Sequence, residues 1–222
     1  MIAGDDLADV RITTRRAAAA VARTLHARAV RSRRVATIAR VMADIIPADA
    51  RVLDVGCGDG RVAAEMVQLR PDVTATGIDV LVQPETFIPV TAYDGSRLPF
   101  ADASIDVTMI VDVVHHAPDP LAFLADVARV TRRAIVIKDH LRDGVLAGPT
   151  LRAMDWLSNA PHGIALAYKN LSRREWDDAF ARVGLRVDAW RAPLGLYPRP
   201  GAWVFERGLH FAARLVPVAR AD

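Results

Sequence analysis

The order of apolar and polar residues divides the chain into short apolar runs separated by longer mixed segments. The first pattern predicts an amphipathic helix over 33–46, with an apolar face of Val35, Ile38, Met42 and Ile45. From residue 51 onward the apolar runs are short enough for strands. Seven strands are predicted, in RVLDV, VTATGIDV, FIPVTAYD, IDVTMIVDVVHH, RAIVIKDH, LRVDAWRAPL and AWVFERGLHFAARL.

The way these runs alternate with helical spacers indicates the fold class. The first, fourth and fifth strands are apolar on successive residues, which is typical of parallel strands covered on both faces. Helical spacers are predicted over 61–70, 119–131 and 173–183, the last opened by a Ser172–Glu175 capping box and stopped by Gly184. We therefore predict an α/β fold: a doubly wound, seven-stranded, mostly parallel sheet with helices on both faces and an antiparallel last strand.

The domain organisation is predicted to be simple. We expect an N-terminal helical extension over 1–32 and one domain over 33–222, with an insertion over 141–172 on the substrate side. Residues 10–43 contain nine Arg and no acidic residue. A solvated helix face is the favoured interpretation of this segment, ahead of a surface for nucleic acid, membrane or an anionic substrate. Its composition is also similar to a transit peptide, but we interpret it as part of the structure.

The charge, the cysteine count and the length of the apolar runs exclude several classes of protein. The net charge is +3, and Cys57 is the only cysteine, so the sequence predicts no disulfide framework and no metal site. No apolar run is long enough for a transmembrane segment. We expect a cytoplasmic protein, and the sequence leaves homo-oligomerisation open.

The glycine-rich stretch RVLDVGCGDGR, residues 51–61, carries the first site chemistry. Glycine at the end of a buried strand lets a ligand approach the backbone. The dinucleotide fingerprint G-x-G-x-x-G requires a third glycine where this chain has Arg61, and the spacing here is G-x-G-x-G instead. Asp54 just before the glycines would repel a pyrophosphate, but it suits a ligand with an ammonium group.

Two further acidic residues end the next two predicted strands. Asp79 follows the second strand, where an acidic residue accepts both hydroxyls of a ribose. Asp94 follows the third strand and is placed to accept from an adenine amine, while Gly95 and Ser96 offer backbone amides. Three acidic residues at consecutive strand ends predict a ligand with an ammonium, a ribose and an adenine but no phosphate, which describes S-adenosylmethionine.

Four segments in register carry a family resemblance: VLDVGCGDGR, GIDV, DGSRLPFADASIDV and DVVHHAPDP. Over residues 35–138 the chain resembles the class I S-adenosylmethionine-dependent methyltransferases, specifically the small-molecule group with the ubiquinone/menaquinone-type enzymes. The resemblance implies a Rossmann-like fold and S-adenosylhomocysteine as the product of the cofactor. It also implies a cofactor site made of Asp54, Gly56, Cys57, Gly58, Gly60, Asp79, Val80, Asp94, Gly95, Ser96, Asp112 and Val113.

Methyl transfer needs a base only when the acceptor must lose a proton, and histidine suits that task. His140 beside Asp139 is the first candidate, and His116 is the second. For each of them, a capping or packing role is an equally good interpretation. The acceptor is predicted to be a small, partly apolar molecule methylated on oxygen or carbon. Its pocket is predicted from the two strand ends and the insertion, namely His115, Lys138, Met154, Trp156, His162 and Tyr168.

The sequence also departs from the family and leaves alternatives open. Thr131, Arg132 and Arg133 replace the Leu-Lys-Pro-Gly-Gly turn before the fifth strand, so the substrates of the best-known members do not transfer. The Asn/Asp-Pro-Pro-Tyr motif of enzymes that methylate nucleic-acid amines is absent, and we do not expect a nucleic-acid partner. The alternatives are an RNA or protein methyltransferase, a nicotinamide-dependent oxidoreductase and a non-catalytic protein that binds the cofactor.

Overall fold

A computed structural model describes residues 32–159 and 169–218. The described chain forms one seven-stranded sheet with helices on both faces. In chain order, the elements are α1 (32–45), β1 (Arg51–Val55), α2 (Arg61–Leu69), β2 (Thr74–Asp79), β3 (Val90–Ala92), β4 (Ile105–Val111), a 3-10 helix (Val114–His116), α3 (Pro120–Val130), β5 (Thr131–His140), α4 (Ala147–Asn159), α5 (Arg173–Arg182), β6 (Leu185–Arg191), α6 (Ala202–Phe205) and β7 (His210–Pro217).

The strand order confirms the predicted doubly wound sheet. The order is β3-β2-β1-β4-β5-β7-β6, and the strands from β3 to β5 are parallel. The chain moves outward from β1 in one direction through β2 and β3, and it then resumes on the other side with β4. The boundary between β1 and β4 is therefore the topological switch point, where ligands bind beyond the carboxyl ends of the strands. β7 lies between β5 and β6 and is antiparallel to both.

The core has one layer on each face of the sheet. On β5, Ile135 and Ile137 belong to the layer beneath α3 and α5, whereas Ala134 and Val136 belong to the layer beneath α1 and α2. This alternation follows from the period of two residues along a strand. Because all four side chains are buried, β5 is apolar on successive residues, as predicted for a strand covered on both faces.

The helix ends follow the predicted local chemistry. The Ser172 side chain accepts a hydrogen bond from the Glu175 amide, and the Glu175 carboxylate accepts one from the Ser172 amide. This reciprocal pair is the predicted capping box and satisfies two amides at the start of α5. Gly184, just after the same helix, has a φ of 71°, a conformation that favours glycine.

Three segments differ from the sequence-based prediction. The third strand has only three residues. Pro89, just before Val90, has no amide hydrogen to donate, and the Phe87 amide donates to the Asp59 carbonyl in the turn after β1 instead of to a neighbouring strand. Residues after β4 form a 3-10 helix rather than more strand. Residues 202–205, predicted as the start of the last strand, form the short helix α6. It is followed by Glu206, whose carboxylate accepts from four backbone amides of residues 194–197.

The predicted insertion contains α4, and the predicted N-terminal extension lies almost wholly outside the described residues. No helix in the described part of the chain is both long and apolar enough to cross a membrane.

Candidate active site

The turn after β1 holds the first part of the site. Gly56, Gly58 and Gly60 all have positive φ values, of 72°, 58° and 75°. The Gly56 amide donates to the Ile78 carbonyl at 2.8 Å, which ties the turn to the end of β2. A Cβ at Gly56 would lie 2.6 Å from Cγ2 of Val113, so glycine is required here by conformation and by space. Val113 thereby joins the turn to the end of β4.

Asp54, the acidic residue before this turn, is buried and only partly satisfied. Its side chain is 2% exposed, and Oδ1 has no hydrogen-bond partner among the described residues. Burial, and secondarily the negative charge of Asp79, raise the pKa of Asp54 to about 8. A buried carboxylate oxygen without a partner is costly unless a donor or a positive charge reaches it. The position therefore suits a cationic ligand group.

Asp79 and Asp94 lie at the ends of β2 and β3, as predicted. Asp79 Oδ2 accepts from the Gly58 amide at 2.8 Å and Oδ1 accepts from the Leu81 amide at 2.9 Å, so this carboxylate links two turns. Each oxygen keeps further acceptor capacity for a ligand hydroxyl. Asp94 accepts from the amide and the hydroxyl of Ser96, which lower its pKa. The Ser96 amide therefore bonds within its own turn, and its role toward the ligand stays a prediction.

Cys57, Val80 and Gly95 complete the wall on this side. A Cβ on Gly77 would lie 2.4 Å from the Cys57 sulfur, so the thiol packs against the second strand. Burial, and then the charges of Asp54 and Asp79, raise the pKa of Cys57 to about 12, which suits packing and not nucleophilic attack. Val80 lies against Gly95, where a Cβ would come within 2.9 Å of its side chain.

The ends of β4 and β5 carry a buried network of charges. The Lys138 ammonium donates to Asp112 Oδ1, and Arg34 of α1 donates to Asp112 Oδ2 at 2.6 Å. Burial alone would raise the pKa of Asp112, but the charges of Lys138 and Arg34 hold it well below its usual value. Burial lowers the pKa of Lys138, whose side chain is fully buried. A role for Lys138 toward the acceptor remains a prediction, since its ammonium already pairs with Asp112.

Four histidines surround this network. The ring centroids of His115 and His116 are 4.0 Å apart, those of His115 and His140 are 4.6 Å apart, and those of His140 and His210 are 5.0 Å apart. Burial, followed by the charge of His115, lowers the pKa of His116 to about 4. Burial and the charge of Lys138 hold the pKa of His140 well below its usual value and lower that of His210 to about 2. His116, His140 and His210 are therefore neutral near pH 7.

Asp139 pairs with a different histidine from the one chosen by sequence adjacency. Its Oδ1 lies 2.6 Å from His115 Nδ1, and its Oδ2 accepts from the Val114 amide at 3.1 Å. The ring nitrogen Nδ1 of His140 is 3.6 Å from the same Oδ1, which is beyond hydrogen-bond distance. The closer partner, His115, comes from the segment after β4, 24 residues earlier in the chain, and adjacency in sequence does not reveal that contact.

The remaining predicted acceptor residues lie on or near the insertion. Met154 is buried in a small cluster with Ala147, Leu151 and Leu209, and Tyr197 packs against that cluster. The ring of Tyr197 is 5.7 Å from that of His210, so the cluster adjoins the histidines. Trp156 lies in α4, but its side chain is outside the described part, as are His162 and Tyr168. Arg34 and His210 were missed, because their approach to β5 depends on tertiary contacts.

Comparison with known proteins identifies the family. The profile of a family described as a methyltransferase domain matches residues 25–189. The chain is 34% identical over 95 residues to 27-O-demethylrifamycin SV methyltransferase of Amycolatopsis mediterranei, covering 37% of this chain and 35% of that protein. It is 29% identical over 94 residues to the ubiquinone biosynthesis O-methyltransferase of Vibrio cholerae, covering 37% of this chain and 38% of that protein. The matched segment thus spans little more than a third of these relatives.

The solved structures agree on the fold. An S-adenosylmethionine-dependent methyltransferase from Mesorhizobium loti superposes with a TM-score of 0.59 at 16% identity, covering 80% of this chain and 95% of that one. The chain belongs to the methyltransferase-domain family, of the class I S-adenosylmethionine-dependent type. The predicted family and the Rossmann-like fold are thereby confirmed.

The residues at the switch point fit S-adenosylmethionine. The unpartnered oxygen of Asp54 matches a cationic group, and at Gly58 the space that a Cβ would enter is open. Asp79 retains acceptor capacity for ribose hydroxyls. These residues would hold the cofactor against β1, β2 and β3, and the histidines lie on the β4 and β5 side.

Proposed function

We propose that the chain transfers a methyl group from S-adenosylmethionine to a hydroxyl oxygen of a small, partly apolar metabolite, with His115 as the base. The observation that carries this proposal is the buried pair of His115 Nδ1 and Asp139 Oδ1, 2.6 Å apart. Both side chains are nearly inaccessible to solvent, and Val113 connects their segment to the glycine turn. An activated methyl donor and a proton acceptor would therefore share one water-poor space.

The cofactor supplies a methyl group on a sulfonium, so the chain has to align the acceptor, exclude water and take up a proton. Asp139 is held by amide donors from Val114 and His140, at 3.1 Å and 2.8 Å. A carboxylate fixed in this way accepts from His115 Nδ1, so a neutral imidazole carries its hydrogen there. Nε2 then has the lone pair that would receive the acceptor's proton. Asp139 acts through His115 and is a positioning residue.

The surroundings support a partly apolar acceptor. Met154, Leu151 and Leu209 form the small apolar cluster that adjoins Tyr197 and, through it, His210. Pockets for small molecules combine apolar surface of this kind with a few polar groups that fix orientation. The relative named ubiquinone biosynthesis O-methyltransferase supports oxygen as the methylated atom. Methylation of carbon is the alternative within the same site.

The test is a methyl-transfer assay with a panel of hydroxylated, partly apolar metabolites, read by mass spectrometry. On the best acceptor, His115→Gln should lower kcat by about 10²–10⁴-fold, the usual contribution of general base catalysis. Cofactor affinity measured by calorimetry should stay the same, because His115 is not on the cofactor side of the site.

His140→Gln is the matched control for the two candidate bases. If His140→Gln abolishes turnover while His115→Gln retains it, the pairing with Asp139 does not mark the base and the proposed mechanism fails. If the protein binds S-adenosylmethionine but methylates no hydroxylated compound, while RNA or protein substrates accept the methyl group, the proposed acceptor class is wrong. Failure with every acceptor would favour a non-catalytic cofactor-binding protein.

A further inference from the structure

His115, Asp139 and His140 form a group that could hold a metal ion. One ligand atom from each residue lies within 4.8 Å of the other two, and all three residues are buried. His140 Nδ1 is a buried ring nitrogen without a hydrogen-bond partner, and it lies 3.6 Å from Asp139 Oδ1. A buried polar atom without a partner calls for an explanation, and a bound ion is one.

The three ligand atoms are of the kinds that bind transition metals of intermediate softness. Two imidazole nitrogens and one carboxylate oxygen suit Zn²⁺ or Co²⁺, and three protein ligands leave one position open. Ligands about 2.1 Å from a tetrahedral ion lie about 3.4 Å from each other, which agrees with the spacing of His140 and Asp139. His115 Nδ1 and Asp139 Oδ1, now 2.6 Å apart, would have to separate by about 1 Å to reach this spacing.

The local charges permit a divalent ion. The ammonium of Lys138 is paired with Asp112, and among the described residues the ion-pair partners of Asp139 are His115 and His140. Asp139 therefore supplies a negative charge at the place where the ion would sit. The four-histidine cluster supplies polar surroundings in an otherwise apolar layer.

We propose that Zn²⁺ binds to His115 Nδ1, Asp139 Oδ1 and His140 Nδ1 and thereby inhibits the enzyme. The inhibition rests on the proposed function, whereas the binding does not. When the metal takes the Nδ1 lone pair of a neutral imidazole, the ring hydrogen moves from Nδ1 to Nε2. No proton is released to solvent, and the Nε2 lone pair that would accept the acceptor's proton is lost.

Cobalt binding tests the site without any need for turnover. After preincubation with one equivalent of Co²⁺, the full chain should show visible absorption bands of a four-coordinate ion, and His140→Ala should lose them. His116→Asn is the matched control, because His116 lies beside His115 but outside the group, and it should keep the bands. Absent bands in the wild type, or equal bands in His140→Ala, would overturn the site.

Activity assays with and without Zn²⁺ test whether the bound metal inhibits methyl transfer. Zn²⁺ should lower methyl transfer by the wild type at least tenfold, and the ratio of rates with and without Zn²⁺ should be near one for His140→Ala. Cobalt bands without zinc inhibition would overturn the tautomer argument and leave the site standing. Failure to find an acceptor would count against the proposed function alone, since the cobalt experiment does not depend on it.

Discussion

The unpartnered carboxylate of Asp54 should make cofactor binding depend on pH. With a pKa of about 8, the buried Asp54 is protonated in most free molecules at pH 7. A cationic ligand binds the ionised form, so binding must remove that proton. We expect about 0.9 proton to be released per bound S-adenosylmethionine at pH 7, the fraction protonated one unit below the pKa.

The affinity should follow the ionised fraction. Between pH 6 and 7.5, where the ammonium of the ligand stays charged, the association constant should rise about 25-fold, because the ionised fraction grows nearly tenfold per unit and levels off toward the pKa. His116 and His210 contribute little to this slope, because their pKa values of about 4 and about 2 lie below the window, and the pKa of His140 is shifted in the same direction. Binding should therefore be tight at the alkaline end and weak at pH 6.

Calorimetry in two buffers with different ionisation enthalpies measures both quantities. S-adenosylhomocysteine, which keeps the ammonium and lacks the sulfonium, should show the same slope if the ammonium is the partner of Asp54. Asp54→Asn carries no titratable group at this position, so its affinity should be flat over the same range. A flat wild-type profile, or an equal slope in Asp54→Asn, would refute the assignment of the unpartnered oxygen to a cationic group.

Three further substitutions test the fold around the site. In urea unfolding, Gly56→Ala should destabilise the chain by about 1 kcal/mol more than Gly58→Ala. Both positions have a left-handed backbone conformation, but only at Gly56 would the new Cβ come too close to another side chain, that of Val113. Equal losses of stability would contradict the contact with Val113. Lys138→Met should lower the free energy of unfolding by about 3–5 kcal/mol, because the charge of Asp112 is then less compensated, and adding Asp112→Asn should restore most of that stability. Additive losses in the double variant would contradict the pairing. Ser172→Ala should lower stability by about 1 kcal/mol with unchanged cofactor affinity, and no shift in the urea midpoint would contradict the cap.

Much of the fold could be predicted because local and tertiary signals agree. β4 and β5 are apolar on successive residues and do become buried parallel strands, and the capping box at Ser172 does begin a helix. The error at residues 202–205 has the opposite origin. Their apolar side chains suit a strand, but the Glu206 carboxylate accepts from four amides of residues 194–197, and the strand begins only at His210. Such a contact leaves no local pattern.

The candidate site also contains residues that the sequence could place and residues that it could not. Asp54, Asp79 and Asp94 could be placed because strand ends meet at one edge of a parallel sheet. His140 was chosen as the first candidate base because it follows Asp139 in sequence, whereas the side chain in hydrogen-bond contact with Asp139 is that of His115, from another segment. Arg34 and His210 approach Lys138 and Asp112 from α1 and β7, and neither residue stands in a motif.

The position of β7 has a consequence for how the chain is made. Until residues 210–217 have been synthesised, β5 has an open hydrogen-bonding edge and β6 has no neighbour to join. The parallel half of the sheet can assemble earlier, but His210 reaches the histidine cluster only when β7 inserts. A nascent chain therefore exposes the edge of β5 until β7 has been made, and chaperones that shield such edges should matter most at that stage.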